Sequence, residues 1–351
     1  MKVDVYKIAQ GSPDDLSGLQ TLIATQQLDP KTIVAMMGKT EGNGCVNDFT
    51  RGFAVATLQG YLRPLIGDDL TEQIVFVMSG GTEGVLSPHL TVFTRQTEGL
   101  TGPPRLGLAI GIRHTRDFSV AEIGTMTMVQ VVADSVKRAI AAAGLTAKQV
   151  HLVQIKCPLI TASRQEQSDA AGVQDSYKSM AYSRGASALG VAVALGELHP
   201  DDFTEADICT NYDLYSAVAS TSAGVELQNC EILVLGNAPD SHSDTVIGHD
   251  VMAHALDGAA VQRALQSVAG DGDLIVNIFA KAEAAPSGQI LGCRHTMLDD
   301  SDISHTRMAR AVVGAVIASV VQTPMIYVSG GSEHQGPPGG GPISVISQQQ
   351  P

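Results

Sequence analysis

The sequence predicts an α/β fold of three structurally similar units around a pseudo-threefold axis, with a single active site at the centre. Three recurrences carry this reading: an apolar strand-like run ending in lysine, a hydroxyl residue followed by arginine ahead of a small-residue helix, and a serine followed by a small residue, Gly, any residue and Glu. Each occurs once per unit, in the same order.

The first unit spans about residues 1–100. Its run Ile33 to Lys39 reads as a buried strand delivering Lys39 at its C-terminal end, because a strand covered on both faces is apolar throughout. Thr50-Arg51 then opens a helix with Thr50 as N-cap, and Ser79-Gly80-Gly81-Thr82-Glu83 reads as a turn after the apolar run Ile74 to Met78. Leu90 to Phe93 supplies a further strand. Gln96 to Pro104, with its glycines and prolines, reads as a linker.

The second unit, about 106–240, repeats the order with Leu152 to Lys156, Ser183-Arg184, Ser222-Ala223-Gly224-Val225-Glu226 and the run Ile232 to Leu235. A polar insertion around Arg164 to Lys178 enlarges it, and Asn237 to Asp244 reads as the second linker. The third unit, about 250–351, carries Ile275 to Lys281, Thr306-Arg307 and, after Met325 to Val328, Ser329-Gly330-Gly331-Ser332-Glu333. Ser183 and Thr306 are read as N-caps like Thr50. Each arginine then sits in a first helical turn, where a cation opposes the helix dipole and an anionic or carbonyl-rich ligand would compensate.

Composition agrees with packed α/β layers of small side chains: 36 glycines, no Trp, 4% aromatic and 17% charged residues in 351. A net charge of −14 without a basic run excludes nucleic acid as a partner. No stretch of ~18 apolar residues and no signal-peptide pattern is present, so the cytoplasm is the expected location and no membrane association is expected. Cys45, Cys157, Cys209, Cys230 and Cys293 are scattered and never spaced C-x-x-C, which predicts free thiols rather than disulfides or a zinc site. Gly38-Lys39-Thr40 ends like a phosphate-binding loop, but Ile33 stands where its first glycine is needed.

A serine beside a neutral lysine is a nucleophile and base pair, and burial or adjacent positive charge keeps the lysine neutral. Three Lys, Arg and Ser sets around one axis suit a small planar ring with alternating carbonyls, each addressed by the fixed fork of a guanidinium. The alternative for a repeat of this kind is a structural role, or a non-catalytic ligand-binding protein.

The segments Gly38 to Asp48, Met78 to His89, Tyr182 to Gly190, Arg294 to Leu298 and Ser329 to Pro337 resemble the signatures of the cyanuric acid hydrolase and barbiturase family over essentially the whole chain. The resemblance implies the prism-like Toblerone fold, a homotetramer, no organic cofactor, and hydrolytic opening of cyanuric acid to carboxybiuret and then biuret. Barbituric acid is the alternative substrate. The family pattern implies Ser222 as nucleophile and Lys156 as base, with Lys39 and Lys281 in the additional pairs. The sequence adds that Glu41 and Glu283 follow Lys39 and Lys281 two residues later, whereas no carboxylate follows Lys156. Substrate contacts are expected from Arg51, Arg184 and Arg307 with Ser79-Gly80, Ser222-Ala223 and Ser329-Gly330. The Cβ of Ala223 narrows the approach on the middle edge. A structural Mg2+ or Ca2+ is further implied, held by Glu283, Ser332, Gln335, Gly336, Pro337 and Gly340. His89, His295 and His334 are expected to be hydrogen-bonding supports rather than catalysts.

Overall fold

A computed structural model describes residues 1–166, 175–268 and 274–349. The first sheet is made of β1 (Val5–Ala9), β2 (Ile33–Thr40), β3 (Val75–Gly80) and β4 (His89–Thr94), with helices α1 (Ser17–Ala24), α2 (Phe49–Ile66) and α3 (Asp68–Gln73). The second sheet has β5 (Arg105–His114), β6 (Val150–Pro158), β7 (Ala219–Gly224) and β8 (Glu231–Ser241), with α4 (Met126–Ala142), α5 (Ala162–Glu166) and α6 (Ser176–Leu195). In the third, β9 (Thr245–Met252) and β10 (Leu274–Ala282) are followed by the small hairpin β11 (Gln289–Ile290) and β12 (Cys293–Arg294), then β13 (Tyr327–Gly330) and β14 (Gly341–Gln348), with α7 (Gly258–Gln266) and α8 (His305–Val321).

All three sheets have the same order. The first strand pairs with the last, the last with the lysine strand, and the lysine strand with the serine strand: β1-β4-β2-β3, β5-β8-β6-β7 and β9-β14-β10-β13. The lysine and serine strands are parallel, and the other pairs antiparallel.

The alternation of side chains across a strand gives each sheet two buried faces. Residues from all three sheets, including Met37, Val77 and Phe93, Ile110, Leu152 and Leu235, and Ile247, Phe279 and Tyr327, form one shared core. The opposite faces pack under each unit's own helices in separate cores. The sheets thus back onto one another and present their lysine and serine strands to a common end.

Two sequence expectations change here. Asn237 to Ser241 belong to β8 rather than to a linker, and β9 begins at Thr245, so the second connection is shorter than expected. Of the polar insertion, 167–174 lie outside the described residues; Ala162–Glu166 is helical and α6 begins at Ser176. No helix among the described residues is long and apolar enough to cross a membrane.

Candidate active site

Parallel pairing places each lysine beside its serine: Lys39 opposite Ser79, Lys156 opposite Ser222, and Lys281 opposite Ser329. The three lysine side chains are buried, with residue exposures of 0, 1 and 1%. Lys39 Nζ donates to Ser79 Oγ at 3.2 Å, and Lys281 Nζ donates to Ser329 Oγ at 3.1 Å. Lys156 Nζ instead donates to the Met78 carbonyl oxygen of the first unit at 3.1 Å, as Lys281 Nζ does to Thr221 of the second at 2.8 Å. Burial lowers the pKa of all three, to about 7 for Lys281, with a nearby arginine adding to the effect in each.

The serines end strands β3, β7 and β13 rather than lying in turns, and the turn follows each one. Gly81 and Gly331 take φ of 101° and 77° there, a conformation that favours glycine. One cleft is lined by Ser79-Gly80, Ser222-Ala223 and Ser329-Gly330 together with Arg51, Arg184 and Arg310.

The third arginine is a correction. Arg307 does not line this cleft; its side chain is 42% exposed, whereas Arg310, one helical turn later, is 4% exposed. The helix caps also differ from the expected Thr50, Ser183 and Thr306. The caps are Asp48 and Asp175, which accept from the backbone of Thr50 and Tyr177, and Ser304 at the start of α8. Thr50 and Thr306 therefore lie inside their helices, and Ser183 lies well inside α6. Arg184 is not in a first turn, so a helix dipole gives no reason for its charge to need a ligand. The stripe of arginine one turn beyond Thr306-Arg307, at Arg310, was the available sequence signal.

Glutamates that sequence reading left without a role complete the electrostatics. Glu83 accepts from Arg310 Nη2 at 2.5 Å and Nε at 2.8 Å, and Glu333 accepts from Arg184 Nη2 at 2.6 Å and Nε at 2.8 Å. These are charge-assisted two-point pairs, each joining different units. Burial pushes Glu333 up, but the Arg184 charge and hydrogen bonds outweigh it and hold the carboxylate below its usual range.

Glu226 differs. It lies 3.7 Å from Lys156, while Arg51 donates to the carbonyl oxygens of Ala223 at 3.2 Å and Cys45 at 2.7 Å. Lys156 therefore does have a carboxylate neighbour, which the local sequence Lys156-Cys157-Pro158 did not reveal. Lys39, conversely, is acted on by Glu83 and Asp48, not by Glu41. What sets the middle pair apart is the Ser222 hydroxyl, which is buried with no hydrogen-bond partner among the described residues.

Glu283, Ser332 and Gly336 line a cavity of about 280 Å3 beside the cleft. Glu283 accepts from Thr306 Oγ1 and meets His305 Nδ1 at 2.8 Å. Gln335 Oε1 accepts from Thr221 N–H at 2.6 Å, and the Pro337 carbonyl oxygen accepts from Gly340 N–H. Of the six expected ligands, Gln335, Pro337 and Gly340 do not line this cavity, whereas Glu333 and His305 do. His334 bridges the Leu214 carbonyl and the Cys209 N–H, and His89 meets the Ser87 carbonyl. His295 has no such bond among the described residues. The five cysteines are free thiols.

An α/β enzyme is the class that this fold and site define. The chain matches the family described as amidohydrolase ring-opening protein over residues 4–348 and belongs to it. It is 52% identical to a cyanuric acid amidohydrolase of Bradyrhizobium diazoefficiens, over 99% of this chain and 98% of that one. A cyanuric acid amidohydrolase of Azorhizobium caulinodans is 51% identical over 98% and 97%. A crystal structure of the hydrolase from A. caulinodans superposes with a TM-score of 0.92 at 49% identity, covering 100% of this chain and 99% of that one. Another, described as cyanuric acid hydrolase arising by structural concatenation, gives 0.93 at 48%, covering 99% of each. The chain is an amidohydrolase.

Proposed function

We propose that this amidohydrolase opens the ring of cyanuric acid to carboxybiuret, which loses carbon dioxide to leave biuret. The observation that carries the reading is the convergence of three lysine-paired serines and three buried guanidinium groups on one cleft. Relatives about half identical over their full length are named for that substrate. The three units are read as related by a pseudo-threefold axis through the cleft, as in a prism, which matches a ring bearing three equivalent carbonyls.

In this mechanism neutral Lys156 takes the proton of Ser222 Oγ as the oxygen attacks a ring carbonyl carbon. The ring C–N bond then breaks, the leaving nitrogen takes the proton from Lys156, and a water hydrolyses the resulting ester. Arg51, Arg184 and Arg310 hold the carbonyl oxygens and meet the developing negative charge, a contribution typically worth ~3–4 kcal/mol per donor. Lys39–Ser79 and Lys281–Ser329, whose hydroxyls already accept from their lysines, orient the other two edges.

Glu283, Ser332, Gln335, Gly336, Pro337 and Gly340 suit a structural Mg2+ or Ca2+, since one carboxylate and neutral oxygens form a hard donor set. Bound there, the ion would brace the loop beside the cleft. A homotetramer is part of the same proposal.

Steady-state rates on cyanuric and barbituric acid test the substrate. A kcat/KM at least ~100-fold higher for cyanuric acid is expected, and a preference for barbituric acid overturns the reading.

A further inference from the structure

The three glutamates that follow the serines occupy equivalent places, yet two of them clamp a guanidinium and the third does not. Glu83 and Glu333 are taken by Arg310 and Arg184. Among the described residues Glu226 has no arginine hydrogen bond; its carboxylate lies 3.7 Å from Lys156 Nζ and is 41% exposed, while the lysine is 1% exposed. Arg51, its counterpart guanidinium, donates to the carbonyl oxygens of Ala223 and Cys45 and lies 3.9 Å from Asp48. Among the described residues, the middle unit alone therefore has a serine hydroxyl without a partner, a lysine, and a carboxylate in sequence, ending at solvent.

We propose that Glu226 is the third member of a Ser222–Lys156–Glu226 triad, a positioning residue that holds Lys156 and stabilises the ammonium formed when Ser222 gives up its proton. The inference rests on the reading of Ser222 and Lys156 given above. It follows the general logic of such sites, in which a base is oriented by a further group that favours its protonated form. The reaction's proton stays on Lys156 until the leaving nitrogen takes it, so Glu226 neither gains nor loses one.

The groups facing Lys156 are Glu226, Arg51, Cys157 and Glu231. Burial lowers the lysine pKa most, and Glu226 is the largest opposing influence. Removing that carboxylate therefore lets the lysine lose its proton at lower pH while making the ammonium in the transition state less stable.

The test is a pH–rate profile on cyanuric acid for Glu226→Gln beside Glu226→Asp, Glu83→Gln and Glu333→Gln, each checked for native circular dichroism. Glu226→Gln is expected to lower kcat about 10- to 100-fold with KM within about threefold, and to move the acid limb of kcat/KM to lower pH. Glu226→Asp is expected to recover most of kcat and the limb, and it carries the test if the amide variant does not fold. Glu83→Gln and Glu333→Gln are expected to raise KM and leave the limb in place. A Glu226→Gln limb and kcat equal to wild type overturn the triad, as does an equal limb shift in Glu83→Gln. If Ser222→Ala stays active, the underlying reading fails instead.

Discussion

Arg307 and Arg310 share one helix and one partner, Glu83, but only Arg310 is buried at the cleft. A guanidinium held at two points by a carboxylate keeps its remaining N–H donors aimed, so its loss removes charge stabilisation where a carbonyl oxygen turns negative. Arg310→Lys keeps the charge but not the fork and is expected to lower kcat/KM by about 30- to 1,000-fold, roughly 2–4 kcal/mol. Arg307→Ala loses only a half-exposed pair and is expected to cost less than about fivefold. Kinetics of both variants check this; the reverse order contradicts the placement of Arg310.

At the scale of elements, legibility followed burial. Strands β2, β6 and β10 are covered on both faces, so their continuous apolar runs announced them and their terminal lysines. The opening strands β1, β5 and β9 carry no terminal motif, and ends such as the exposed Arg113-His114 and the half-buried His249-Asp250 break their apolar pattern. Strand β7 is fully buried yet built of small and hydroxyl residues, Ala219 to Gly224; Thr221 bonds the Arg184 carbonyl instead of supplying an apolar signal. The serines and lysines were legible as a threefold pattern. Arg310 and the roles of the glutamates were not, because helix phase and contacts between units are not local properties of sequence.

The whole molecule depends on three sheets sharing a core, and polar contacts cross their seams. Asn277 Nδ2 donates to Thr91 Oγ1 at 2.6 Å, and His151 Nδ1 meets His249 Nδ1 at 2.8 Å between the second and third sheets. Burial, with the His249 charge adding to it, lowers His151 to about 4; His249 and His89 are lowered too. These rings stay neutral in the fold while an unfolded histidine binds a proton below ~6.5. Stability is therefore fully present above about pH 6.5 and is lost as pH falls toward 4, by at most ~1.4 kcal/mol per pH unit for each histidine. Denaturant melts at pH 7 and pH 5 should show this loss, and a shallower one in His151→Gln. An unchanged slope in that variant would contradict a neutral pair at the seam.

A three-sided site with one reactive edge is the claim on which the account turns, and the three serines read it out directly. Single-turnover and steady-state rates of Ser79→Ala, Ser222→Ala and Ser329→Ala on cyanuric acid should show turnover abolished, by more than about 1,000-fold, only for Ser222→Ala. The other two should keep measurable turnover with weakened binding. Full activity in Ser222→Ala, or loss confined to Ser79→Ala or Ser329→Ala, would contradict it.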